Sequence, residues 1–243
     1  MKRFIDVGLA LYGLIVFAPV LLVVGILLYL QDGHSPLYVA ERVGRNGKLF
    51  QMLKFRSMVP NADTNHIDST ANDDPRITML GQLIRRLKID ELPQLWNVLI
   101  GDMSFVGPRP NIEREVKLYT TEEQRLLSVR PGITDISSIV FSDLGTVLEG
   151  APDANIAYNQ LVRPYKSRLG LLYIDHASAL LEVNLIILTL LSAVNRRSAL
   201  DRLSRLIKQL GAPIELVNLT SRKSFLRPAV PPGAISVVTK RSL

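Results

Sequence analysis

The chain contains no cysteine among its 243 residues. Disulfides and thiolate metal sites are therefore excluded, and no redox compartment can be inferred. Histidine is scarce: His34, His66 and His176 are the full complement, and their spacing fits no metal-ligand pattern. Aromatic residues make up 6% of the chain, with one tryptophan, Trp96. That is thin material for stacking on bases. No helix-turn-helix, zinc-finger or RNA-binding signature is present, and the cations are dispersed. Nucleic acid is set aside as a partner on these grounds. Phosphate-binding P-loops and glycine-rich dinucleotide fingerprints are also missing, as are internal repeats and low-complexity tracts.

What the chain does have is apolar residues and positive charge. Hydrophobic residues reach 47% beside 21% charged ones, and the mean hydropathy is +0.20. The formal net charge is +7 and the sequence pI about 9.8. Such a balance favours anionic partners: phosphates or anionic lipid surfaces. The apolar excess lies mostly near the N-terminus. From Val7 to Leu30 only Gly8, Tyr12, Gly13, Pro19, Gly25 and Tyr29 interrupt the run. About 20 apolar residues suffice to cross a bilayer as a helix. A cleaved signal peptide would have a shorter core and a small-residue cleavage site; here Gln31-Asp32-Gly33-His34 follows. A spanning helix is one remaining reading. A helix that enters the membrane, bends at Pro19 and returns to the same face is the other, because proline removes a backbone donor and kinks a helix. Lys2 and Arg3 before the run, and a basic domain after it, suit the cytoplasmic side.

From His34 the pattern changes. Tyr38–Ala40 and Leu49–Phe55 read as short strands, and Gly44-Arg45-Asn46-Gly47 carries hairpin-turn chemistry. Asn61 to Pro75 reads as a polar surface loop or irregular helix. Gly81 to Lys88 is a basic amphipathic stretch. Pro93 suits the first turn of the next helix, with Asp90 and Glu91 just ahead of it. Gly101-Asp102-Met103-Ser104 ends that helix, and Val106-Gly107-Pro108-Arg109-Pro110 forms a stiff loop.

Asp90 and Glu91 are adjacent carboxylates within a few residues of Arg85, Arg86 and Lys88. Taken alone they read first as a solvated helix start. Their functional reading is a nucleophile with a helper acid beside phosphate-holding cations: a carboxylate can attack phosphorus and form an acyl phosphate. The diphosphate charge then needs neutralising by arginines and a divalent ion, and Mg²⁺ takes one or two carboxylates. Arg109, between Pro108 and Pro110, is either a rigid surface turn or a guanidinium fork aimed at phosphate. Arg56 and Arg76 are weaker binding candidates.

These segments together resemble the bacterial sugar transferase family of small monotopic phosphoglycosyl transferases. The resemblance rests on Lys2-Arg3-Phe4-Ile5-Asp6, Lys54-Phe55-Arg56-Ser57-Met58, Asp90 to Val98, Gly101 to Ser104, Val106 to Pro110 and Arg130-Pro131-Gly132-Ile133-Thr134, in that order. It implies Asp90 as the nucleophile on the β-phosphate of a UDP-sugar. UMP would leave, and polyprenyl phosphate would take the phosphosugar from the covalent intermediate. Glu91 would activate the lipid phosphate or hold the metal, Mg²⁺ would lie at Asp90, and Arg85 and Arg109 would bind phosphate. The resemblance further implies a re-entrant helix broken at Pro19 and an active site on the cytoplasmic face of the bacterial inner membrane. Two departures stand out: Ala18-Pro19 replaces the usual Ser-Pro, and Asp135-Ile136-Ser137-Ser138-Ile139 replaces the usual Gly-Trp-Ala-Gln.

Val183 to Val194 is apolar and too short to span a bilayer, so it suits a core helix or an interfacial one equally. Leu200, Leu203, Leu206, Ile207 and Leu210 recur at helical spacing with Arg202, Arg205 and Lys208 between them, a basic amphipathic helix suited to an anionic leaflet. The proline-rich tail from Pro228 is expected to be mobile. The expected fold is α+β: residues 1–33 a re-entrant membrane helix, 34–198 a mostly helical catalytic domain with a small β-hairpin, and 199–243 the basic helix and tail. The alternative readings are a non-catalytic nucleotide-sugar binder or scaffold of the same fold, and a single-span protein with its polar domain outside the cell. Which sugar is used, and whether the chain forms a homodimer, stay open.

Overall fold

A computed structural model describes residues 2–60, 62, 74–223 and 225–239. Apart from Ala62, Asp74 and Pro75, the polar stretch expected between Asn61 and Pro75 lies outside the described residues, as does the basic end of the tail.

Helix α1 runs Lys2–Asp32. It is followed by strands β1 (Leu37–Val43) and β2 (Leu49–Phe55), then helices α2 (Met79–Arg86) and α3 (Gln94–Ile100). A short strand β3 (Ser104–Val106), a helical turn α4 (Glu113–Val116) and strand β4 (Gly132–Thr134) come next. The rest is helical: α5 (Ile136–Val140), α6 (Leu144–Leu148), α7 (Ala154–Leu161), α8 (Arg163–Asp175), α9 (Ala179–Val194), α10 (Arg196–Gln209) and α11 (Ile214–Thr220). The α+β architecture with a small antiparallel hairpin is as expected.

β1 and β2 pair antiparallel with Leu37 opposite Phe55 and Val43 opposite Leu49. The turn is the one its residues call for, with Asn46 left-handed at φ 59°. The pairing of β3 with β4 was not legible in the sequence. These strands run parallel, Ser104 beside Gly132 and Val106 beside Thr134. Glycine makes the approach possible: a Cβ on Gly107 would fall 2.3 Å from the Arg130 carbonyl oxygen, and one on Gly132 would fall 2.1 Å from the Gly107 nitrogen.

α1 is seated at both ends. At its start Lys2 Nζ donates to Glu182 (2.5 Å), Tyr173 Oη (2.8 Å) and the Val106 carbonyl (3.0 Å). Arg3 donates to the Val98 and Leu99 carbonyls, the unpaired acceptors at the C-terminal end of α3. The buried Asp6 carboxylate accepts from Ser104 Oγ and the Phe105 N–H. At the far end Arg56 donates to Asp32 at 2.6 Å. Apolar contacts repeat the pattern: Ala10 joins Ala40, Met52, Val98 and Met103, while Val24 and Leu28 join Phe55 and Ile84. Between them Ile15 to Val20 is exposed, with Pro19 in the middle. Pro19, the expected point of bending, lies inside a helix that runs from Lys2 to Asp32, and a proline kink needs no gap in the helix. One proline removes a single i→i−4 bond and leaves the neighbouring ones in place.

The main core joins α5, α8, α9, α10 and α11. Leu200, Leu203 and Ile207 of α10 are buried in it. The apolar face assigned to a lipid leaflet is thus covered by protein, because α9 and α11 pack on it, and the boundary expected after residue 198 falls within one core. α9 is apolar on both faces: Leu181, Leu185 and Leu188 point into the core, while Leu180, Val183, Ile187, Leu190 and Val194 are exposed. The tail expected to be mobile is held by hydrogen bonds. Tyr165 donates to Arg227 O, Arg168 to Val230 O, Thr120 to Pro232 O and Gln160 to Val238 O.

Candidate active site

Three elements deliver the charged cluster. After α2, Lys88 adopts a left-handed conformation at φ 59° and turns the chain into a short 3₁₀ turn, Ile89–Glu91. This turn presents both carboxylates ahead of α3. Asn97 of α3 then locks onto β2 by accepting from the Leu53 N–H (2.9 Å) and donating to the Gln51 carbonyl (2.7 Å). The lock brings Lys54 of β2 to the turn, with its Nζ 3.3 Å from Glu91 Oε1. The third element is the loop after β3. The Gly107 N–H donates to Thr134 O and the Gly132 N–H to Pro108 O, which fixes Arg109 with its Nη2 2.5 Å from the same Glu91 oxygen.

The pKa values of the two neighbouring acids are pushed in opposite directions. Burial opposes ionisation of Glu91, but the charges of Arg109 and Lys54 outweigh it and hold its carboxyl far below the usual range. Asp90 goes the other way: burial, reinforced by the Glu91 charge, raises its pKa against the pull of Lys54, Lys88 and Arg85. Its Oδ1 is buried and accepts no hydrogen bond. Lys54 is pushed down by burial and by the Arg109 charge, while Arg109 is held protonated by Glu91. The arrangement has one carboxylate held ionised by two cations on a single oxygen, and one destabilised carboxylate with an unpaired buried oxygen. Adjacent acids driven apart in pKa are a pattern of paired catalytic roles.

The other predicted residues divide. Arg85 acts electrostatically on Asp90 and makes no ion pair among the described residues, so it is available at the cluster. Arg109 is at its centre. Arg56 is directed to Asp32 at the end of α1 instead, and its Nε and Nη1 are buried without partners. The Arg76 guanidinium is taken by both Asp74 oxygens and by the Ala62 carbonyl, which makes it a loop clamp in this structure. Lys54 is the residue that sequence reasoning passed over. It sits two positions before Arg56 in the same motif, and only the Asn97 lock reveals that the lysine, not the arginine, reaches the acids.

Among the described residues no group of three or more His, Asp or Glu converges as a ready-made metal site. Mg²⁺ does not need one, since it commonly takes one or two carboxylates and completes its shell with water and substrate phosphate. The free Asp90 Oδ1 fits that requirement, whereas the Glu91 Oε1 is already engaged by two cations.

A family model described as bacterial sugar transferase matches residues 1–217. The exopolysaccharide production protein ExoY of Sinorhizobium fredii is 40% identical over 153 residues, covering 57% of this chain and 68% of the relative. A putative undecaprenyl-phosphate N-acetylgalactosaminyl 1-phosphate transferase of Bacillus subtilis is 46% identical over 134 residues, 55% of this chain and 71% of the relative. A UDP-galactose-lipid carrier transferase of Erwinia amylovora is 40% identical over 151 residues, but the match spans only 31% of that longer protein.

Proposed function

Because the chain belongs to the bacterial sugar transferase family, we propose that it moves a sugar 1-phosphate from a UDP-sugar to polyprenyl phosphate. Relatives named for UDP-galactose and for undecaprenyl phosphate support this substrate pair. The sugars in their names differ, so none is carried over. The observation that carries the reading is the split dyad: Asp90 holds a buried, unpaired oxygen while Glu91 is neutralised by Arg109 and Lys54.

The proposed reaction has two steps. An Asp90 oxygen bonds to the sugar-side phosphorus, the bond from that phosphorus to the bridging oxygen breaks, and its electron pair leaves with UMP. A lipid phosphate oxygen then attacks the same phosphorus and displaces the Asp90 carboxylate, giving polyprenyl diphosphate sugar. Arg109 and Lys54 offset charge on the transferring phosphate, and Arg85 adds a further cation. Mg²⁺ held at Asp90 would supply charge neutralisation on the diphosphate. Glu91 fixes the two cations and stands ready beside the incoming lipid phosphate. Incubating the protein with Mg²⁺ and a panel of UDP-sugars should release UMP and leave a phosphosugar adduct on the chain. UDP-sugar binding without UMP release would turn the reading towards a non-catalytic binder. Arg109→Ala is expected to cut kcat/KM about 10²-fold, the scale of losing one preorganised charge donor; unchanged kinetics would reject its role.

The membrane reading is re-entrant. Both ends of α1 bond to one polar domain, and the exposed apolar stretch around Pro19 lies between them. A straight crossing would place those ends on opposite faces of a core about 30 Å thick. Lys2, Arg3 and the basic domain support a site on the cytoplasmic face of the inner membrane. The lack of native cysteine makes single-cysteine labelling clean. Phe4→Cys and Ser35→Cys, both at exposed positions, should react with impermeant reagent from the same side; labelling from opposite sides would overturn the topology.

A further inference from the structure

Arg109 also lines a recess that neither Asp90 nor Glu91 lines. Its walls are the Pro108–Asn111 loop, the Asp135 cap of α5, and Tyr158, Arg163 and Lys166 from α7 and α8. The charges there do not balance. Arg163 is paired with the fully buried Glu123, and both Asp135 oxygens accept from Ser137 Oγ, one of them also from the Ser138 N–H. The Lys166 side chain has no ion pair or hydrogen bond among the described residues. Its ammonium stands 5.3 Å from the Tyr158 ring centroid. Burial and the Arg109 charge both disfavour its protonated form, so an anion between the two cations would relieve the repulsion.

We infer that this recess is a second phosphate subsite, in which Lys166 and Arg109 hold the nucleotide-side phosphate of the UDP-sugar while Asp90 meets the sugar-side phosphorus. The inference rests on the transfer reaction proposed above. Arg109 links the two positions, since it lines the recess and bonds Glu91. A diphosphate laid across its guanidinium places its leaving half beside Lys166, where a cation offsets the charge that develops on UMP. The source is the nucleotide rather than the lipid because of where the walls come from. None belongs to α1, α2, α3 or α9, the helices that carry exposed apolar side chains such as Leu83, Trp96, Ile100 and Leu190. A polyprenyl chain has no apolar path to the recess, whereas a water-soluble nucleotide needs none.

The test is calorimetric binding of UDP and UMP to wild type, Lys166→Met and Lys166→Arg, with steady-state kinetics on both substrates. Lys166→Met should weaken both nucleotides about tenfold or more, the scale of one charge-assisted hydrogen bond. It should raise KM for UDP-sugar in step and leave KM for polyprenyl phosphate unchanged, and Lys166→Arg should recover most of the loss. Lys166→Gln answers the same question if the methionine variant misfolds. Nucleotide binding indifferent to Lys166 overturns the assignment, as does a rise confined to KM for the lipid, which would give the site to the lipid phosphate. If wild type binds UDP through Lys166 yet releases no UMP from any UDP-sugar, the subsite stands and the proposed reaction falls.

Discussion

Asp90→Asn should abolish UMP release, by about 10³-fold or more, because an amide cannot act as the phosphorus nucleophile and the step has no substitute. The variant should still bind UDP, since Arg109, Lys54 and Glu91 keep their mutual bonds. It should also melt higher than wild type at neutral pH. The Asp90 pKa is raised by burial and by the Glu91 charge, so the folded state binds that proton more tightly than the unfolded state. The associated stability is present at low pH and lost as pH rises through the folded pKa. A neutral asparagine escapes that loss, and its advantage should vanish as pH falls below the ordinary carboxylate range. Wild-type turnover should decline on the acid side at a pH above the usual aspartate value, as the nucleophile protonates. Assays of UMP, intact mass and melting temperature across pH check all three expectations. Near-full activity in Asp90→Asn would end the nucleophile assignment.

Glu123→Ala should be the most damaging change away from the charged cluster, costing about 3–5 kcal/mol, the usual scale for stranding one member of a buried ion pair. Glu123 is fully buried. It accepts from Arg163 Nη2 at 2.6 Å and Nε at 3.2 Å, from Ser167 Oγ at 2.7 Å and from the Thr120 N–H at 3.1 Å. Removing it leaves the Arg163 guanidinium, 8% exposed, with only carbonyl and amide oxygens. Replacing both partners with apolar residues of similar volume should recover much of the loss, because no charge is then left buried alone. Thermal unfolding of Glu123→Ala and of Glu123→Leu/Arg163→Met distinguishes the two cases. Equal destabilisation of both would show that packing rather than charge dominates here.

The sequence carried local information well. The hairpin turn at Gly44–Gly47, the Pro93 helix start and the adjacent acids were legible because each is fixed within a few residues. Long-range pairing was not. The parallel match of Ser104 with Gly132 depends on two glycines 25 positions apart meeting back to back, and a three-residue strand has too little alternation to betray itself. Lys54 went unseen because its value depends on Asn97, and Arg76 was overrated because Asp74, only two residues before it, consumes its fork. The amphipathic pattern of α10 was read correctly as a pattern. Periodicity says that a face wants cover, not whether protein or lipid supplies it.

The bond from Lys2 to Glu182 joins positions 180 residues apart. A ribosome delivers α1 long before it delivers Tyr173 or Glu182, so the start of the helix can bond first to its nearer partners, the α3 carbonyls, Ser104, Phe105 and Val106, and gains these two only later. Completing the bonds of Lys2 is therefore a late event in biogenesis. A chain halted short of α9 would keep the Arg3 and Asp6 bonds but leave Lys2 without its carboxylate partner.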